Sequence, residues 1–511
     1  MIDINKAKQK ILDLAIRGKL TKQHLKDGNI NDEIIHYIDN VEMDNEYKKN
    51  KKQVKINIIE ELPFNIPKTW SWVRLGNICS IFGRIGYRGY TKDDIVDDGN
   101  GAISLSPSNL VGFGKMDYFN CTYISWDKYN ESPEIMVNNE DIIIVKTGSS
   151  YGKTGFVSNL QKRATINPQL AILKYLQGNR KYILIILNTV FVKKQLDDFV
   201  LGSAVPTFSQ EDLANLMIPL PPLAEQNRIV EKVDKLFEIL DKINETQKKY
   251  QKDKEILKSK IIEAGIRGKL TKQLKTDGNA SDLLDEIRKE KEKLIKEGKI
   301  KRDKKETYIY KNTKDNLYYE KYQDGTEKCI QDELPFEIPD NWAWCRLENI
   351  CDIINGFTPL RSNKAYWDNG DIPWFTIEDI RHQGRIITKT EQHITKEALS
   401  KDSKRIIPKD SVLLCCTASV GEFAYTKIPL TTNQQFNGLI IKRCYKCFIL
   451  PLYLFSFSQT LKKQIIERAG GTTFGFLSVG ELAKFFVSIP PLSEQKRIIN
   501  IVEKLLAYID D

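Results

Sequence analysis

The sequence lacks any apolar run long enough to cross a bilayer, and its first residues contain no apolar signal region. The apolar stretches Tyr182–Val192 and Phe448–Phe457 are too short to span a membrane. Only four histidines occur, and their scattered positions suggest no acid–base pair. The nine cysteines have no regular spacing, which fits reduced thiols in a cytosol better than a disulfide framework. The absence of long apolar runs and of regularly spaced cysteines argues against a membrane-spanning or disulfide-stabilised protein. It predicts a cytoplasmic globular protein.

Charge and metal-ligand patterns narrow the possibilities only a little. Lysine and arginine number 78 against 68 acidic residues, a formal net charge of +10, which permits nucleic-acid binding without establishing it. Cys444 and Cys447, together with Cys415 and Cys416, could suggest zinc, but the first half of the chain has no equivalents. We therefore expect no metal site in this chain.

The most informative feature that is present is a long internal repeat. Its period is far too long for a solenoid, so it indicates two related domains held apart by repeated connectors. At 511 residues the chain is long enough for two or three domains with separate cores. The repeated segments are Glu61–Cys79 with Glu333–Cys351, Pro221–Ile229 with Pro490–Ile498, and Ile16–Gln23 with Ile266–Gln273.

The two halves follow one another in a circular order. The first runs from a globular block through Pro-Pro-Leu and a helix to Ile266-Arg-Gly-Lys-Leu270. The second reaches Pro490-Pro-Leu492 and stops at Asp511, and the segment that would complete it lies at residues 4–23. We therefore expect the termini to meet in space and the molecule to have a pseudo-twofold arrangement.

Changes in composition divide the chain into seven segments. Short β-rich runs separated by Gly, Asn and Ser, together with helical stretches, predict a mixed α/β fold for both globular blocks. The segments are an N-terminal helix at 1–23 that ends at Gly18 and completes the distal coiled coil, a connector at 24–60, a globular block at 61–222, a central helical region at 223–275, a charged connector at 276–331, a second globular block at 332–491 and a short distal helix at 492–511.

Individual strands and helices can also be predicted within these segments. Apolar runs bounded by turn residues predict strands, and longer periodic stretches predict helices. The predicted strands are Ile142–Val145, Leu170–Leu173, Ser411–Cys416 and Asn437–Lys442, and the predicted helices lie near 180–199 and 209–215 and at Leu283–Ile300.

Residues 223–266 predict one long helix with a heptad seam, which is typical of a coiled coil. Roughly 40 residues would make a rod of about 60 Å. A core helix inside one domain is the alternative, but the length and the position between two repeats favour an antiparallel coiled-coil spacer. The central seam comprises Ile229, Val233, Leu236, Leu240 and Ile243 and continues through Gln247, Tyr250, Lys254, Leu257, Ile261 and Ala264, and the partner seam comprises Ile498, Val502, Leu505 and Ile509 with Ala7, Ile11 and Leu14.

The edges of the two blocks carry a family resemblance. Leu-Pro-x-x-Ile-Pro-x-x-Trp-x-Trp opens each block, and Pro-Pro-Leu-x-Glu-Gln closes it. The second block also has Gly356-Phe-Thr-Pro359 followed by the stretch Tyr366–Trp374. Over nearly its whole length the chain resembles the specificity subunit of a type I DNA restriction–modification system.

The resemblance implies a non-catalytic subunit in which each recognition block reads one half of a bipartite, asymmetric sequence in double-stranded DNA. The helical rod would set the gap between the halves and dock two methyltransferase subunits, and motor-nuclease subunits would join to cut unmodified DNA. S-adenosylmethionine, ATP and Mg²⁺ are expected on those partners only, where the methyltransferase flips the target adenine. Two readers on a rigid spacer gain affinity only for sites at the matching separation.

One loop resembles a phosphate-binding loop. The run Gly148–Thr154 follows an apolar strand and contains Gly-Lys-Thr, but only three residues separate Gly148 from Gly152 where the Walker pattern requires four. Its counterpart Cys416–Glu422 has no lysine. A P-loop ATPase is therefore disfavoured, and two interpretations stay open, a DNA-facing loop and a tight turn between strands.

A second motif resembles the Asn-Pro-Pro-aromatic sequence of adenine methyltransferases. In Asn167-Pro-Gln-Leu170 the second proline and the aromatic residue are absent, and no glycine-rich cofactor loop accompanies it. Its counterpart is Asn433-Gln-Gln435, so the motif belongs to the recognition fold rather than to a stand-alone methyltransferase. A coiled-coil scaffold that never touches DNA is a further alternative, but it does not explain two blocks that share their edges and differ inside.

Residue type suggests which side chains would contact DNA. Arginine can bind guanine with two hydrogen bonds, and tyrosine, serine and threonine suit phosphates or thymine edges. An ordinary surface role is the alternative for each of them. The candidates are Arg84, Tyr87, Arg88, Tyr90, Ser149, Ser150, Tyr151, Lys153 and Thr154 in the first block, and Arg361, Ser362, Arg381, His382, Arg385, Thr472 and Thr473 in the second.

Overall fold

In the computed structural model the chain divides into two compact units, Met1–Lys249 and Tyr250–Asp511. The boundary falls within one long helix, Leu223–Ile266. None of the described helices is long and apolar enough to cross a membrane. The structure describes residues 1–43, 63–84, 89–200, 205–299, 301–302, 306–399, 405–416, 421–468 and 477–510.

The first unit combines helices with short strands. Its helices are α1 Ile4–Ile16, α2 Asn31–Met43, α3 Trp126–Asn130, α4 Arg180–Leu187, α5 Val190–Val200, α6 Gln210–Ala214 and the first part of α7 Leu223–Ile266. Its strands are β1 Ser71–Arg74, β2 Ser80–Phe82, β3 Ile95–Val96, β4 Gly101–Leu105, β5 Leu110–Gly112, β6 Lys115–Met116, β7 Thr122–Ser125, β8 Met136–Val137, β9 Ile142–Val145, β10 Thr154–Phe156, β11 Ala164–Ile166, β12 Leu170–Lys174 and β13 Met217–Leu220.

A four-stranded sheet in the order β10-β9-β12-β2 lies at the centre of the first unit. Successive side chains of a strand point to opposite faces. Ile142 and Ile144 accordingly pack into the core shared with the helices, whereas Ile143 and Val145 pack into a second core with the five-stranded sheet β3-β7-β4-β11-β8. Burial on both faces explains why β9 is a continuous apolar run instead of an alternating one.

The second unit has the same mixed composition. Its helices are α8 Ala280–Lys296, α9 Leu347–Ile350, α10 Ile377–Gln383, α11 Pro451–Arg468, α12 Val479–Ala483 and α13 Leu492–Asp510, beside the last part of α7. Its strands are β14 Tyr308–Lys311, β15 Tyr318–Lys321, β16 Glu327–Cys329, β17 Ala343–Arg346, β18 Cys351–Asn355, β19 Ile372–Phe375, β20 Ile386–Ile387, β21 Gln392–Ile394, β22 Ser411–Cys415, β23 Phe423–Thr426, β24 Thr431–Thr432, β25 Phe436–Ile441 and β26 Phe486–Ile489.

The central sheet of the second unit, in the order β18-β25-β22-β23-β20, is also buried on both faces. Val412 and Leu414 of β22 pack towards the helices, while Leu413 and Cys415 pack into a second core. Two three-stranded sheets complete the unit, in the orders β21-β19-β24 and β14-β15-β16. The mixed α/β fold predicted for both blocks is therefore confirmed.

The repeated edges of each block pair with one another. Strand β1 follows the entry motif and pairs antiparallel with β13, which precedes the exit motif, so that Trp72 lies opposite Pro219. Strands β17 and β26 form the same pair in the second unit, with Trp344 opposite Ser488. The entry and exit sequences recur because together they close each block.

The glutamate of the first exit motif, Glu225, is a buried carboxylate with three side-chain donors. Trp70 Nε1 donates to it over 2.8 Å, Thr21 Oγ1 over 3.1 Å and Gln23 Nε2 over 2.6 Å. The glutamate is 1% exposed, so these bonds replace the water that it would otherwise bind. They tie α7, the entry motif and the segment after α1 together.

The second unit repeats this arrangement around Glu494. Trp342 Nε1 donates over 2.9 Å, Thr271 Oγ1 over 2.7 Å and Gln273 Nε2 over 2.9 Å. The repeat thus preserves a buried hydrogen-bond network and not only a sequence.

The arginine of each exit motif forms a two-pronged ion pair. Arg228 donates to Asp27 over 3.0 and 2.5 Å, and Arg497 donates to Asp277 over 3.0 and 2.5 Å. Bidentate guanidinium–carboxylate pairs fix geometry as well as charge. Each pair therefore fastens one long helix to the short turn that follows the Arg-Gly-Lys-Leu sequence.

The glycine of that sequence ends the helix in both repeats. Helix α1 stops at Ile16, and Gly18 has φ +65°; a Cβ at Gly18 would lie 2.4 Å from Pro67 Cγ. Gly268 has φ +69°, and a Cβ there would lie 2.6 Å from Pro339 Cγ. Only glycine satisfies both the left-handed backbone and the close approach of the proline.

Helix α7 packs against an antiparallel partner within each unit. In the first unit, Ile2 near the start of α1 exchanges hydrogen bonds with Gln247, and Lys8 binds Asp241 over 2.5 Å. In the second unit, Lys258 binds Asp510 at the end of α13. The antiparallel helix packing predicted from the seam is confirmed inside each unit, whereas the meeting of the termini concerns both units and stays a prediction.

The predicted seam departs from the structure in the second part of α7. Tyr250 and Leu257 are 58% and 48% exposed, although the heptad pattern places them in the seam. The side of α7 that packs on α13 keeps the predicted Lys254 and Ile261 and also contains Lys258, Ile262 and Gly265. A straight helix advances 3.6 residues per turn and drifts out of a 3.5-residue register, which accounts for the shift by one residue.

The locally predicted elements agree with the structure with small changes. The strands at 142–145, 170–174, 411–415 and 436–441 are present, as are helices 210–214 and 280–296. The stretch near 180–199 is two helices rather than one. Asn188 ends α4, and the buried Thr189 accepts a hydrogen bond from the Val192 N–H before α5 continues.

Candidate nucleic-acid interface

The loop that resembles a phosphate-binding loop is the turn of a β-hairpin between β9 and β10. The Gly152 N–H donates to the Val145 carbonyl over 2.8 Å, and the Tyr151 N–H donates to the Gly148 carbonyl over 3.1 Å. A phosphate-binding loop leads into a helix, whereas this one leads into the antiparallel strand β10. The tight-turn interpretation is confirmed, and the P-loop ATPase alternative loses its structural basis.

The side chains of this hairpin have unequal access to a ligand. Thr154 is fully buried and accepts a hydrogen bond from Asn188 Nδ2 over 2.7 Å, which disfavours the predicted DNA contact. Ser149 is exposed, and Ser150 and Lys153 are half-buried. These three can still reach a ligand, and their contact with DNA stays a prediction.

Tyr151 anchors the hairpin to α5. Its hydroxyl donates to Asp197 over 2.6 Å, and Lys193 Nζ lies 3.2 Å from the centre of its ring. The hydrogen bond from Tyr151, followed by that from Lys193, lowers the pKa of the Asp197 carboxyl. Tyr151 therefore supports the loop, and its contact with DNA stays a prediction.

Arg84 is an interior residue of the first unit. It is 2% exposed, and its guanidinium donates to the Ile166 carbonyl over 3.2 Å and to Thr165 Oγ1 over 3.1 Å. Burial lowers the pKa of the Arg84 guanidinium. This placement disfavours a base contact by Arg84. Tyr90 is half-buried with its ring 5.9 Å from the Arg84 guanidinium, and the candidates Tyr87 and Arg88 lie outside the described residues.

Residues that the sequence analysis missed surround the base of the hairpin. The Lys146 N–H donates to the Gln169 carbonyl over 2.8 Å, and the Lys146 carbonyl accepts from the Phe208 N–H over 3.1 Å. Next to it, the hydroxyls of Thr147 and Thr207 lie 2.8 Å apart. Lys146 lies two positions before the run Gly148–Thr154, and no sequence pattern distinguishes it.

The second unit has the same backbone arrangement with different side chains. The Cys416 N–H donates to the Gln435 carbonyl over 3.0 Å, and the Cys416 carbonyl accepts from the Leu477 N–H over 3.0 Å. Cys416 therefore occupies the position that Lys146 has in the first unit, and its thiol is buried. Burial raises the pKa of the Cys416 thiol to about 12. One backbone frame thus presents a cation in one unit and an apolar thiol in the other.

The asparagine–glutamine motifs make equivalent turns in the two units. The Gln169 N–H donates to Asn167 Oδ1 over 3.0 Å, and the Gln435 N–H donates to Asn433 Oδ1 over 3.1 Å. In each case the asparagine amide also donates to the glutamine side-chain oxygen. The motif belongs to the frame that the two units share, as the sequence predicted.

Arg361 is an exposed arginine that two tryptophan rings and a glutamine hold in place. Its guanidinium carbon lies 3.9 Å from the centre of the Trp367 ring and 4.6 Å from that of Trp374. Nη1 donates to Gln392 Oε1 over 2.6 Å. Aromatic faces hold a guanidinium without using its N–H groups, so the remaining donors stay available for a ligand. The residue is exposed, as a base or phosphate contact requires.

The two tryptophans are themselves fixed. Trp367 Nε1 donates to the Leu360 carbonyl over 3.2 Å, and Trp374 Nε1 donates to the Phe357 carbonyl over 3.0 Å. Their rings meet edge to face with centroids 5.1 Å apart. The Gly-Phe-Thr-Pro and Tyr-Trp sequences of the second block therefore build the support on which Arg361 rests.

The other predicted DNA-contacting residues of the second unit differ in how accessible they are to a ligand. Arg381 and His382 are exposed on α10 and are paired with Glu378 and Glu391. Arg385 is half-buried, binds Glu422 over 3.2 Å and lies over the Phe423 ring. Ser362 is exposed, and Thr472 and Thr473 lie outside the described residues.

The described residues contain no group of three or more His, Cys, Asp or Glu side chains placed to hold a metal ion. Cys415 and Cys416 are buried, Cys444 is half-buried and Cys447 is exposed.

Several seam residues belong to the cores of their own units. Ile229 and Val233 are 0% and 1% exposed, and Ile498 and Val502 are 0% and 3% exposed. Leu240 is also buried, and Leu236, Ile243 and Leu505 are half-buried. The buried members are not available to another subunit, so a docking surface on these helices needs other side chains.

Comparison with known sequences gives one family match. A family model described as "Type I restriction modification DNA specificity domain" matches residues 67–251 and 339–510. The two matched ranges include both exit motifs and the last part of each entry motif, from its second proline onwards.

Individual relatives are similar over part or nearly all of the chain. The type I restriction enzyme MjaIX specificity subunit of Methanocaldococcus jannaschii is 35% identical over 176 residues, which are 34% of this chain and 39% of that protein. The match to the EcoprrI specificity subunit of Escherichia coli also covers less than half of that protein, 45%. The EcoAI specificity subunit of Escherichia coli is 25% identical over 572 aligned residues, 98% of this chain and 89% of that protein.

A solved structure has the same fold. A chain from work described as "Structural basis underlying complex assembly and conformational transition of the type I R-M system" matches with a TM-score of 0.55 and 18% sequence identity, over 88% of this chain and 93% of that chain.

Proposed function

Because this chain belongs to the type I restriction modification DNA specificity family, we propose that it reads a bipartite, asymmetric DNA sequence, one half with each unit. The chain itself supplies recognition and no catalysis. Adenine methylation and DNA cleavage are assigned to partner subunits, which would carry S-adenosylmethionine, ATP and Mg²⁺. Since the target is chromosomal or incoming DNA, we place the protein in the cytoplasm.

The observation that supports this proposal is a common frame with different side chains. Both units close through equivalent strand pairs and a glutamate that binds three donors. At one equivalent backbone position they present Lys146 and Cys416. Two units that bind DNA in the same orientation but contact different bases need a shared backbone frame and different side chains on it.

Phosphate contacts and base contacts would have separate sources in this scheme. Polar side chains such as the half-buried Lys153 and the exposed Ser149 would position each unit on the phosphate backbone. Base discrimination would come from a few constrained side chains, and the stacked Arg361 is the strongest described example. A guanidinium that is already ordered loses less entropy when it binds a guanine edge.

Two methyltransferase subunits are the proposed protein partners, with motor-nuclease subunits joining the complete enzyme. Association needs exposed apolar side chains, and α7 offers Ile239, Ile256 and Leu257, which are 53%, 44% and 48% exposed. In place of the buried seam members, we propose Ile239 as a docking contact of the first unit and Ile256 and Leu257 as docking contacts of the second.

Methylome sequencing tests the proposal directly. The chain would be expressed with its cognate methyltransferase in a host without DNA methylation. We expect one split motif with methylated adenine in both halves. Exchanging residues 61–222 for the block of a relative should change one half and leave the other. Absence of new methylation with an active methyltransferase would contradict the proposal, as would a change in both halves.

A further inference from the structure

The backbone of Lys146 is fixed from both sides at the base of the β9–β10 hairpin. Its N–H donates to the Gln169 carbonyl and its carbonyl accepts from the Phe208 N–H, so the segments before β12 and before α6 determine where its side chain begins. The bonded hydroxyls of Thr147 and Thr207 hold the same two segments together. A side chain that starts from a rigid position can be aimed at a ligand.

The Lys146 ammonium is half-buried, and no residue in the described part of the chain supplies it with a counter-charge. No hydrogen bond or ion pair joins its Nζ to another described residue, and partial burial lowers the pKa of the Lys146 ammonium. Lys174 in the same unit is the contrast, because its Nζ binds Asp141 over 2.9 Å and the Met136 carbonyl over 2.5 Å. An unpaired, partly desolvated cation is costly, and a bound acceptor would remove that cost.

The side-chain amide of Gln169 lies beside this position. Its Oε1 accepts a hydrogen bond from Asn167 over 3.2 Å, which leaves the Nε2 donors for other partners. Nε2 lies 3.8 Å from the place that a Cβ would occupy at Gly148, so the amide stands against the hairpin turn. Lys146 and Gln169 together offer hydrogen-bond donors and no free negative charge.

We propose that Lys146 is a specificity-determining residue of the first unit, which donates to the O6 and N7 acceptors of a guanine while Gln169 donates beside it. The pair suits guanine because that base presents two adjacent acceptors in the major groove. The proposal rests on the proposed function and names one base contact within it. The second unit would read a different base pair here, since Cys416 has no cation to offer.

Methylomes and duplex binding of the complex with its methyltransferase test this assignment. The complex that carries Lys146→Met should methylate sites with any base pair at one position where the unsubstituted complex requires a guanine. The sequence of the other half-site should stay unchanged. Affinity for the cognate duplex should fall about tenfold or more, with little change for an unrelated duplex. Lys146→Cys, the residue type of the second unit, should behave in the same way, and Lys146→Arg should keep the guanine preference.

Lys153→Met is the matched control on the same hairpin. As a phosphate contact, Lys153 should weaken binding to cognate and unrelated duplexes equally and leave the motif intact. An unchanged motif in both Lys146→Met and Lys146→Cys would overturn the proposal, and so would an equal loss of affinity for both duplexes. If the unsubstituted complex produced no split motif, the proposed function itself would fail instead.

Discussion

Trp70 Nε1 donates a 2.8 Å hydrogen bond to Glu225, a carboxylate that lies 155 positions later in the chain. Trp342 and Glu494 repeat the bond at 2.9 Å. Each carboxylate is removed from water, and its charge is therefore satisfied by protein donors alone. The tryptophan that ends the Ile-Pro-x-x-Trp sequence is consequently a structural donor rather than a DNA contact.

Removing this donor should destabilise the first unit. Trp70→Phe keeps most of the aromatic packing but leaves the Glu225 carboxylate with two donors, so the free energy of unfolding should fall by about 1–3 kcal/mol. Urea unfolding of the full chain measures the change. Trp126→Phe is the control, because Trp126 is 40% exposed and should change stability by less than about 0.5 kcal/mol. If both substitutions lowered the free energy of unfolding equally, Trp70 would not stabilise the unit as the donor to Glu225.

The two arginine–aspartate pairs should make stability depend on acid pH. Hydrogen bonds from Arg228 and Arg497 lower the pKa of the Asp27 and Asp277 carboxyls below the ordinary value of 3.8. A carboxyl with a depressed folded-state pKa stabilises the fold fully above its unfolded pKa and loses that contribution as pH falls through the folded value. We therefore expect stability from these pairs to be constant above about pH 5 and to decline below about pH 4.

The substitutions Asp27→Asn and Asp277→Asn test this pH dependence. Each should lower the thermal midpoint at pH 7 and reduce the further loss seen between pH 4 and pH 3. Asp234→Asn is the control, since Asp234 is exposed and lies 3.6 Å from Lys181 in a surface pair. If the thermal midpoint of a variant fell with pH as steeply as that of the unsubstituted protein between pH 4 and pH 3, the ion pairs would not be the source of the pH dependence.

Arg361 should be more sensitive to substitution than the other exposed arginines of the second unit. Arg361→Lys removes the planar group that stacks on Trp367 and Trp374, and we expect about a tenfold to hundredfold loss of affinity for the cognate duplex. Fluorescence anisotropy with the methyltransferase complex measures it. Arg381→Lys, on the exposed face of α10, should cost less than about threefold.

The substitution Trp367→Leu tests the stacking of Arg361 separately from its contact with DNA. It keeps Arg361 but removes one stacking face, so affinity should fall by a smaller factor than in Arg361→Lys while the preferred base pair is retained. Full affinity in Trp367→Leu would mean that the stack does not order the guanidinium for binding.

Ile239 should contribute to methyltransferase docking. It is 53% exposed on α7, and Ile239→Lys places a charge in the proposed apolar contact. We expect at least about a tenfold loss of affinity for the methyltransferase subunit in isothermal titration calorimetry, with an unchanged thermal midpoint. Lys248→Glu, on the opposite face of the helix, is the control and should bind normally. Normal binding by Ile239→Lys would move the docking surface elsewhere.

The repeat made the fold largely predictable from sequence. Strand β9 and helix α7 were evident because burial on both faces and helical periodicity leave clear patterns. The register of α7 near Leu257 was wrong, because a heptad rule cannot show where a straight helix drifts from its partner. The interruption at Asn188 was missed for a related reason, since the apolar pattern continues across it.

The candidate site was less predictable than the fold. Residue type alone suggested Arg84 and Thr154, but tertiary packing turns both inward, where each has a protein partner. Lys146 had no distinguishing sequence signal, because its unpaired state depends on which carboxylates the fold brings near it. Arg361 could be named from sequence, whereas its stacking required Trp367 and Trp374 to converge in three dimensions.

The donors around Glu225 also set an order of events during synthesis. A ribosome releases Thr21, Gln23 and Trp70 long before the glutamate that they bind. Translation proceeds at about 5–20 residues per second, so Glu225 is synthesised on the order of ten seconds after its donors. During that interval the nascent recognition block lacks the helix that covers Leu12 and Val73. The growing polypeptide therefore exposes apolar surface that a chaperone can bind until α7 emerges.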